Sequence, residues 1–288
     1  MWMIAAIFSA IFAGITSILS KCGIKHTNSN VATAIRTAVV LIFAWIIILI
    51  SGEYSTIINI NIKSWIFIIL SGLATGASWI CYFKALSLGE VSRVAVIDKS
   101  SVILSVIFAI IIFPDERTLW WFKLICLAII ALGTYLMTDV KKSDVRALDT
   151  WLIFALLSAF FASMTSILAK IGIENVNSNV ATAIRTFIVL IMACLIVFCR
   201  KETKFIKEVT KKDFIFLILS GIATGASWLC YYYAIANGQI SIVVPIDKIS
   251  ILITMAFSVI VLKEKLSLKA WIGLLLLVMG TILMAIFA

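Results

Sequence analysis

The chain carries one sequence unit twice. Asn28–Thr37 reads NSNVATAIRT, and Asn177–Thr186 repeats the same letters 149 positions later. The same offset aligns SGLATGASWICY at Ser71–Tyr82 with SGIATGASWLCY at Ser220–Tyr231. Polar, small and charged letters agree best between the copies, whereas the apolar letters between them differ. Because apolar residues in a core are largely exchangeable, agreement at the polar positions indicates that both copies need the same chemistry.

Long apolar runs fill both copies. Hydrophobic residues make up 63% of the 288 residues and charged residues only 13%, too little polar surface for a water-soluble protein. The runs are about 20 residues long, the length that a helix needs to cross a bilayer core. We therefore predict an all-α, polytopic membrane protein with ten transmembrane helices, at 2–20, 31–51, 64–87, 91–113, 117–138, 151–171, 180–199, 213–236, 240–262 and 267–287.

Each copy holds five predicted spans, which is an odd number. The second copy therefore enters the membrane in the opposite sense to the first, as an inverted-topology repeat. We predict a first repeat at 1–139, a linker at 140–149 and a second repeat at 150–288. Inverted repeats underlie many secondary transporters, in which a midplane site opens alternately to each side.

Basic residues outside the spans gather on one side of the predicted membrane. That side includes the connector 200–212, which contains six lysine or arginine residues. The other side holds little beyond Lys63, Arg117 and Lys170. The positive-inside rule makes the basic side cytoplasmic and places both termini outside.

Ionisable residues recur inside the spans at matching depths. Arg36 lies about five residues, or roughly 8 Å, into the second span, and Asp98 and Lys99 lie at a similar depth in the fourth. Buried charges are costly unless they are paired or hydrated, so we expect them to face the bundle interior. The simplest arrangement pairs Arg36 with Asp98 and Arg185 with Asp247. Each pair either closes one side of the protein while the other side opens, or only holds helices in register.

The duplicated polar residues predict a substrate cavity at the centre of the bundle. We expect Asp98 and Asp247 to carry a coupling proton. The net positive charge of each copy's cluster favours an anionic or zwitterionic substrate, whereas Trp79, Tyr82 and Asp98 also suit an organic cation. The predicted cavity residues are Thr16, Ser17, Arg36, Thr75, Ser78, Trp79, Tyr82, Asp98 and Lys99 in the first copy, and Thr165, Ser166, Arg185, Thr224, Ser227, Trp228, Tyr231, Asp247 and Lys248 in the second.

Four charged residues near span ends have structural interpretations. Lys21 and Lys170 are expected to extend their ammonium groups to the membrane surface. Glu116 and Glu264 follow the fourth and ninth spans, and each is expected to cap the next helix.

These motifs resemble a known family. The five-span unit, the ATGASWxCY stretch that ends the third span and the acidic turns PDERTL and LKEKLSL are similar to the EamA domain of the drug/metabolite transporter superfamily. NSNVATAIRT followed by SGxATGASWxCY and IDK is similar to short EamA-like proteins with one five-helix unit, and this chain resembles two such units fused. The resemblance implies a ten-helix bundle with a central cavity that transports a small metabolite, by proton coupling or exchange. It also implies cytoplasmic termini, opposite to the charge count.

The leading prediction is a secondary active transporter of a small polar metabolite, either amino-acid-like, an organic anion or a zwitterion. The alternatives are an exporter of organic cations or drugs, a flippase for a lipid-linked substrate, or a non-transporting partner subunit. The sequence has no HExxH, GxSxG or Walker motif, and its six cysteines have no CxxC spacing, so we expect no enzyme, metal or cofactor. The expected partners are the substrate and the lipid bilayer, without nucleic acid. We expect a monomer or homodimer in a prokaryotic cell membrane.

Overall fold

Helices form all the regular structure in the described part of the chain. The structure, a computed structural model, describes residues 1–23, 27–88, 94, 97–98, 100–137, 150–260 and 267–287. Short 3-10 helices η1 (Glu53–Asn59), η2 (Pro114–Arg117) and η3 (Thr203–Glu208) lie in connections. The α-helices are α1 (Trp2–Gly23), α2 (Ser29–Ser51), α3 (Ile62–Leu88), α4 (Ser101–Ile112), α5 (Trp120–Met137), α6 (Thr150–Ile173), α7 (Ser178–Cys199), α8 (Lys211–Asn237), α9 (Ile240–Lys248), α10 (Ser250–Ile260) and α11 (Leu268–Phe287).

Nine helical segments among the described residues are long and apolar enough to cross a membrane. The helices α9 and α10 together supply one of them, Ile240–Phe257. The helix α4 is a shorter apolar helix of 12 residues, and much of the fourth predicted span before it lies outside the described residues, as does the predicted linker 140–149. The prediction of an all-α, multi-pass membrane protein is confirmed.

Helices of one copy pack mainly against helices of the other. The helix α1 packs against α8, and its counterpart α6 packs against α3. The counterparts α2 and α7 pack against each other, and so do α5 and α11. Exchanging the two copies leaves this set of contacts unchanged, which is the mark of a pseudo-two-fold relation.

The two ends of the bundle show that the copies run in opposite senses. At the start of α2, Asn30 donates a hydrogen bond to Glu202 at 2.7 Å, and the counterpart Asn179 donates to Glu53 at 2.8 Å. Glu53 follows the far end of α2, roughly 35 Å from Asn30 at 1.5 Å per residue. The equivalent contacts therefore lie at opposite ends, and the predicted inverted repeat is confirmed. We call the end with η1 and η2 the amino-terminal end, and the end with η3 the basic end.

The repeated letters NSN have a local structural cause. Asn28 caps α2, because its side-chain oxygen accepts hydrogen bonds from the backbone N–H groups of Asn30 and Val31 at 2.9 and 3.3 Å. Asn177 caps α7 in the same way. Such caps satisfy backbone donors that the first helical turn leaves free. The first Asn of the motif starts a helix and the second joins that helix to the other copy.

Candidate functional site

A cavity of about 310 Å³ lies between the two copies. Ser101 and Ser105 of α4 and Tyr232 of α8 contribute to its wall, although they are not among the predicted site residues. Eleven of the predicted site residues also line it, namely Thr75, Ser78, Trp79, Thr165, Ser166, Arg185, Ser227, Trp228, Tyr231, Asp247 and Lys248.

The other predicted residues lie elsewhere or outside the description. Lys99 falls outside the described residues. Six others are described and do not line this cavity, namely Thr16, Ser17, Arg36, Tyr82, Asp98 and Thr224. Thr224 donates to Thr16 at 3.3 Å, and Ser17 donates to a carbonyl within its own helix. Tyr82 packs beside a small apolar cluster that includes Ala155. Among the residues that the structure describes, the charged groups that line this cavity all come from the second copy.

Arg185 is the most constrained charged group at the cavity. Its side chain is buried, its Nε donates to Ser71 Oγ at 3.0 Å and its Nη2 donates to Thr75 Oγ1 at 2.6 Å. The guanidinium carbon lies 4.4 Å from the ring centre of Tyr232 and 5.2 Å from that of Trp228. Its third nitrogen, Nη1, is buried without a hydrogen-bond partner in the described structure. A guanidinium held in this way can bind a carboxylate through the nitrogen that remains.

The predicted arginine–aspartate pairs are wrong. All four residues are described, and each finds hydroxyl partners instead. Arg36 donates to Ser20, and Arg185 donates to hydroxyls of α3. Depth along a helix sets the height of a side chain but not the direction in which it points. Packing between the copies places hydroxyls of α3, rather than the aspartate of its own copy, within hydrogen-bond distance of Arg185.

The two aspartates accept hydrogen bonds from serines of the opposite copy. Ser9 of α1 donates to Asp247 at 3.0 Å, and its counterpart Ser158 of α6 donates to Asp98 at 3.2 Å. Asp247 also lies 3.9 Å from the ammonium group of Lys248. Ser9 and Ser158 are not among the predicted site residues, although both are serines in apolar spans at the repeat offset of 149. That coincidence was the signal that could have revealed them.

Each of the two copies is similar to a known family on its own. The EamA-like transporter family matches residues 1–139 and again residues 149–286. The chain belongs to this family. The resemblance to EamA proteins of the drug/metabolite transporter superfamily is therefore confirmed, and the protein is a multi-pass EamA-like transporter.

Two relatives of this EamA-like transporter have the length of a single copy. An uncharacterized transporter in the cobO 3′ region of a Sinorhizobium species is 41% identical over 139 residues, which cover 48% of this chain and 99% of the relative. An uncharacterized protein of Methanocaldococcus jannaschii is 35% identical over 139 residues, which cover 48% of this chain and 98% of the relative. A solved crystal structure matches 98% of both chains with a TM-score of 0.78 at 17% identity, which shows a shared fold.

Proposed function

We propose that this protein is a secondary active transporter that moves a small polar metabolite by alternating access across a prokaryotic cell membrane. The metabolite is amino-acid-like, an organic anion or a zwitterion. Membership of the EamA-like family supports transport. A cavity of about 310 Å³ between two inverted copies supports a small substrate held within the bundle.

The unpartnered Nη1 of Arg185 carries the proposal on substrate class. A buried donor without an acceptor is costly, and a substrate carboxylate in the cavity would satisfy it with a charge-assisted hydrogen bond. Lys248 adds a second positive charge to the wall, and Asp247 offers an acceptor for an ammonium group. The wall therefore suits a molecule that has both charges.

The near-equivalence of the copies supports alternating access. The serine–aspartate contacts and the asparagine–glutamate contacts each occur twice, once per copy. If the two copies exchange conformations, the same contacts form in mirrored places and the cavity faces the other side. In this proposal Asp247 carries a coupling proton, or the cycle runs by exchange, and the basic end faces the cytoplasm.

An organic cation is the second candidate, because Trp79, Trp228 and Asp247 share the cavity wall. Aromatic faces beside a carboxylate bind cations. The first candidate requires a carboxylate on the ligand and the second does not, so one experiment separates them.

A ligand panel tests the proposal. Purified protein is heated with zwitterionic amino acids, aliphatic carboxylates or tetraalkylammonium ions, because a ligand that binds the native state raises the melting temperature. We expect carboxylate-bearing compounds to stabilise the protein and to be taken up by proteoliposomes. Stabilisation by the ammonium ions alone would replace the proposal with cation export, and uptake of none would contradict transport of these small molecules.

A further inference from the structure

A buried charged cluster lies at the amino-terminal end, apart from the cavity. The side chains of Lys123 in α5 and Glu116 in η2 are fully buried, with Nζ and Oε2 3.4 Å apart. Lys123 Nζ also donates to the backbone oxygen of Glu116 at 3.0 Å and to the side chain of Gln239 at 2.8 Å. Since Gln239 lies between α8 and α9, Lys123 ties the first copy to the second.

Glu116 caps a helix of the other copy. Its carboxylate accepts hydrogen bonds from the backbone N–H groups of Ile240 and Ser241 and from the Ser241 hydroxyl. The expectation that Glu116 caps the next helix along the chain is therefore wrong, because the copies interlock and bring the start of α9 to it. A carboxylate stabilises a helix start through these donors and the helix dipole. The other end of α9 carries Asp247 and Lys248 to the cavity wall.

Lys170 of α6 lies beside the contact between Glu116 and the start of α9. Its ammonium group donates to the backbone oxygen of Gly238 at 2.8 Å and lies 3.3 Å from Asp115 and 3.6 Å from Glu116. Its side chain is only 14% exposed. The expectation that Lys170 extends to the membrane surface is thus wrong, because two carboxylates and a carbonyl lie within its reach. Two lysines and two acidic residues balance one another here.

The second copy has no lysine at the matching position. The helices α5 and α11 share the letters GT-x-LM, which start at Gly133 and Gly280. Lys123 stands ten residues before the first of these glycines, and Ala270 stands ten residues before the second. Ala270 is also buried. An alanine has no charge, so Ala270 forms no ion pair when the basic end closes and exposes no charge when that end opens.

We propose that Lys123, Glu116 and Gln239 form a latch that closes the amino-terminal end, and that the second copy has Ala270 in place of its lysine. Separation of α9 from α5 and η2 breaks the bond from Lys123 to Gln239 and the three bonds from Ile240 and Ser241 to Glu116, and it uncovers two charges that are fully buried. The carrier therefore rests closed at the amino-terminal end. This inference rests on the proposed alternating access, and Glu116 acts as a positioning residue for the cavity through α9.

Distances between spin labels in nanodiscs test the latch. One label pair, at positions 120 and 237, spans the amino-terminal end, and the counterpart pair, at 88 and 267, spans the basic end; all four positions are exposed. Lys123→Ala copies the residue found at Ala270. We expect it to raise the ratio of open to closed molecules at the amino-terminal pair by about tenfold or more, since breaking a buried ion pair is strongly unfavourable to the closed form. The basic-end pair should shift towards shorter distances.

Two further variants make the test specific. Lys63→Ala breaks an exposed ion pair with Glu174 at the same end, where the side chains are 61% and 64% exposed, and should leave both distances unchanged. Ser241→Ala removes one hydrogen bond to Glu116 and should give a smaller shift in the same direction. If Lys123→Ala does not fold, the distances in Ser241→Ala test the latch instead.

The outcomes separate the latch from the transport proposal. The latch is overturned if the amino-terminal distance is unchanged in folded Lys123→Ala, or in Ser241→Ala where Lys123→Ala does not fold. This holds even if the wild type transports substrate. Equal loosening of both ends also overturns it. The expected shift supports the latch, and if it occurs in a protein that carries no substrate of the panel, only the transport proposal fails.

Discussion

Replacing each of the twin arginines with methionine gives the sharpest test of the cavity. Arg185 lines the cavity and has a buried, unpartnered Nη1, whereas Arg36 is not part of the lining. A hydrogen bond between charged groups contributes about 1.5–3 kcal/mol, which corresponds to about a ten- to hundredfold change in Kd. We expect Arg185→Met to weaken binding of a carboxylate ligand by that factor. Arg36→Met should change the affinity less than about threefold, because a side chain that does not line the cavity couples weakly to the ligand, by roughly 0.5 kcal/mol or less.

The structure also predicts that Arg185→Met folds. Ser71 and Thr75 lose the guanidinium but keep their contacts with Thr165, at 2.8 and 3.2 Å. Neither hydroxyl is left buried without a partner, so the loss of stability should be modest. Titration calorimetry on purified protein measures the affinity, and thermal unfolding without ligand serves as the control. Equal losses of affinity in the two variants, or full affinity in Arg185→Met, would refute the assignment of the carboxylate to Arg185.

Three other predictions concern coupling, packing and acid stability. Asp247→Asn should remove the dependence of proteoliposome uptake on an imposed pH gradient, and a retained dependence would exclude this residue as the proton carrier. Gly133→Ala should lower stability by about 1–3 kcal/mol in thermal unfolding, because its new Cβ would lie 2.6 Å from the backbone oxygen of Gly273, and an unchanged melting temperature would contradict this packing. Burial raises the pKa of Glu53, but hydrogen bonds, first that from Asn179, outweigh it, and the net pKa lies below the ordinary value of 4.5. The stability that Glu53 contributes is present above pH 4.5 and is lost as the pH falls through the lowered pKa. In Glu53→Gln the melting temperature should therefore fall less steeply with decreasing pH than in the wild type. An equally steep fall in both proteins would contradict this assignment.

The repeat was the part of the fold that sequence could predict. An odd number of spans per copy leaves inversion as the only arrangement, so the relation between Asn30 and Asn179 at opposite ends followed from counting. Side-chain partners did not follow, because they depend on the rotation of each helix and on packing across the copies. Arg185 reaches Ser71 of the other copy rather than Asp247 of its own.

Residues without a twin were the hardest to find. Tyr232 stacks on Arg185, and Lys123 holds Glu116. Their counterparts by alignment are Phe83 and Ala270. A search for matching letters passes over such positions, because they carry no repeat signal and a single lysine or tyrosine in a span has several ordinary explanations.

These unmatched residues have a physical role that the matched ones cannot have. Two identical halves would give the two facing states of a carrier equal energies, so neither state would be favoured. Each tenfold preference for one state requires a difference of about 1.4 kcal/mol between them, and only residues that differ between the copies can supply it. In the proposed cycle, Lys123 without a lysine counterpart biases which end is closed, and Tyr232 beside Arg185 biases which copy binds the carboxylate. In that cycle the duplicated residues make both states possible, and the unmatched ones decide which state the transporter occupies at rest.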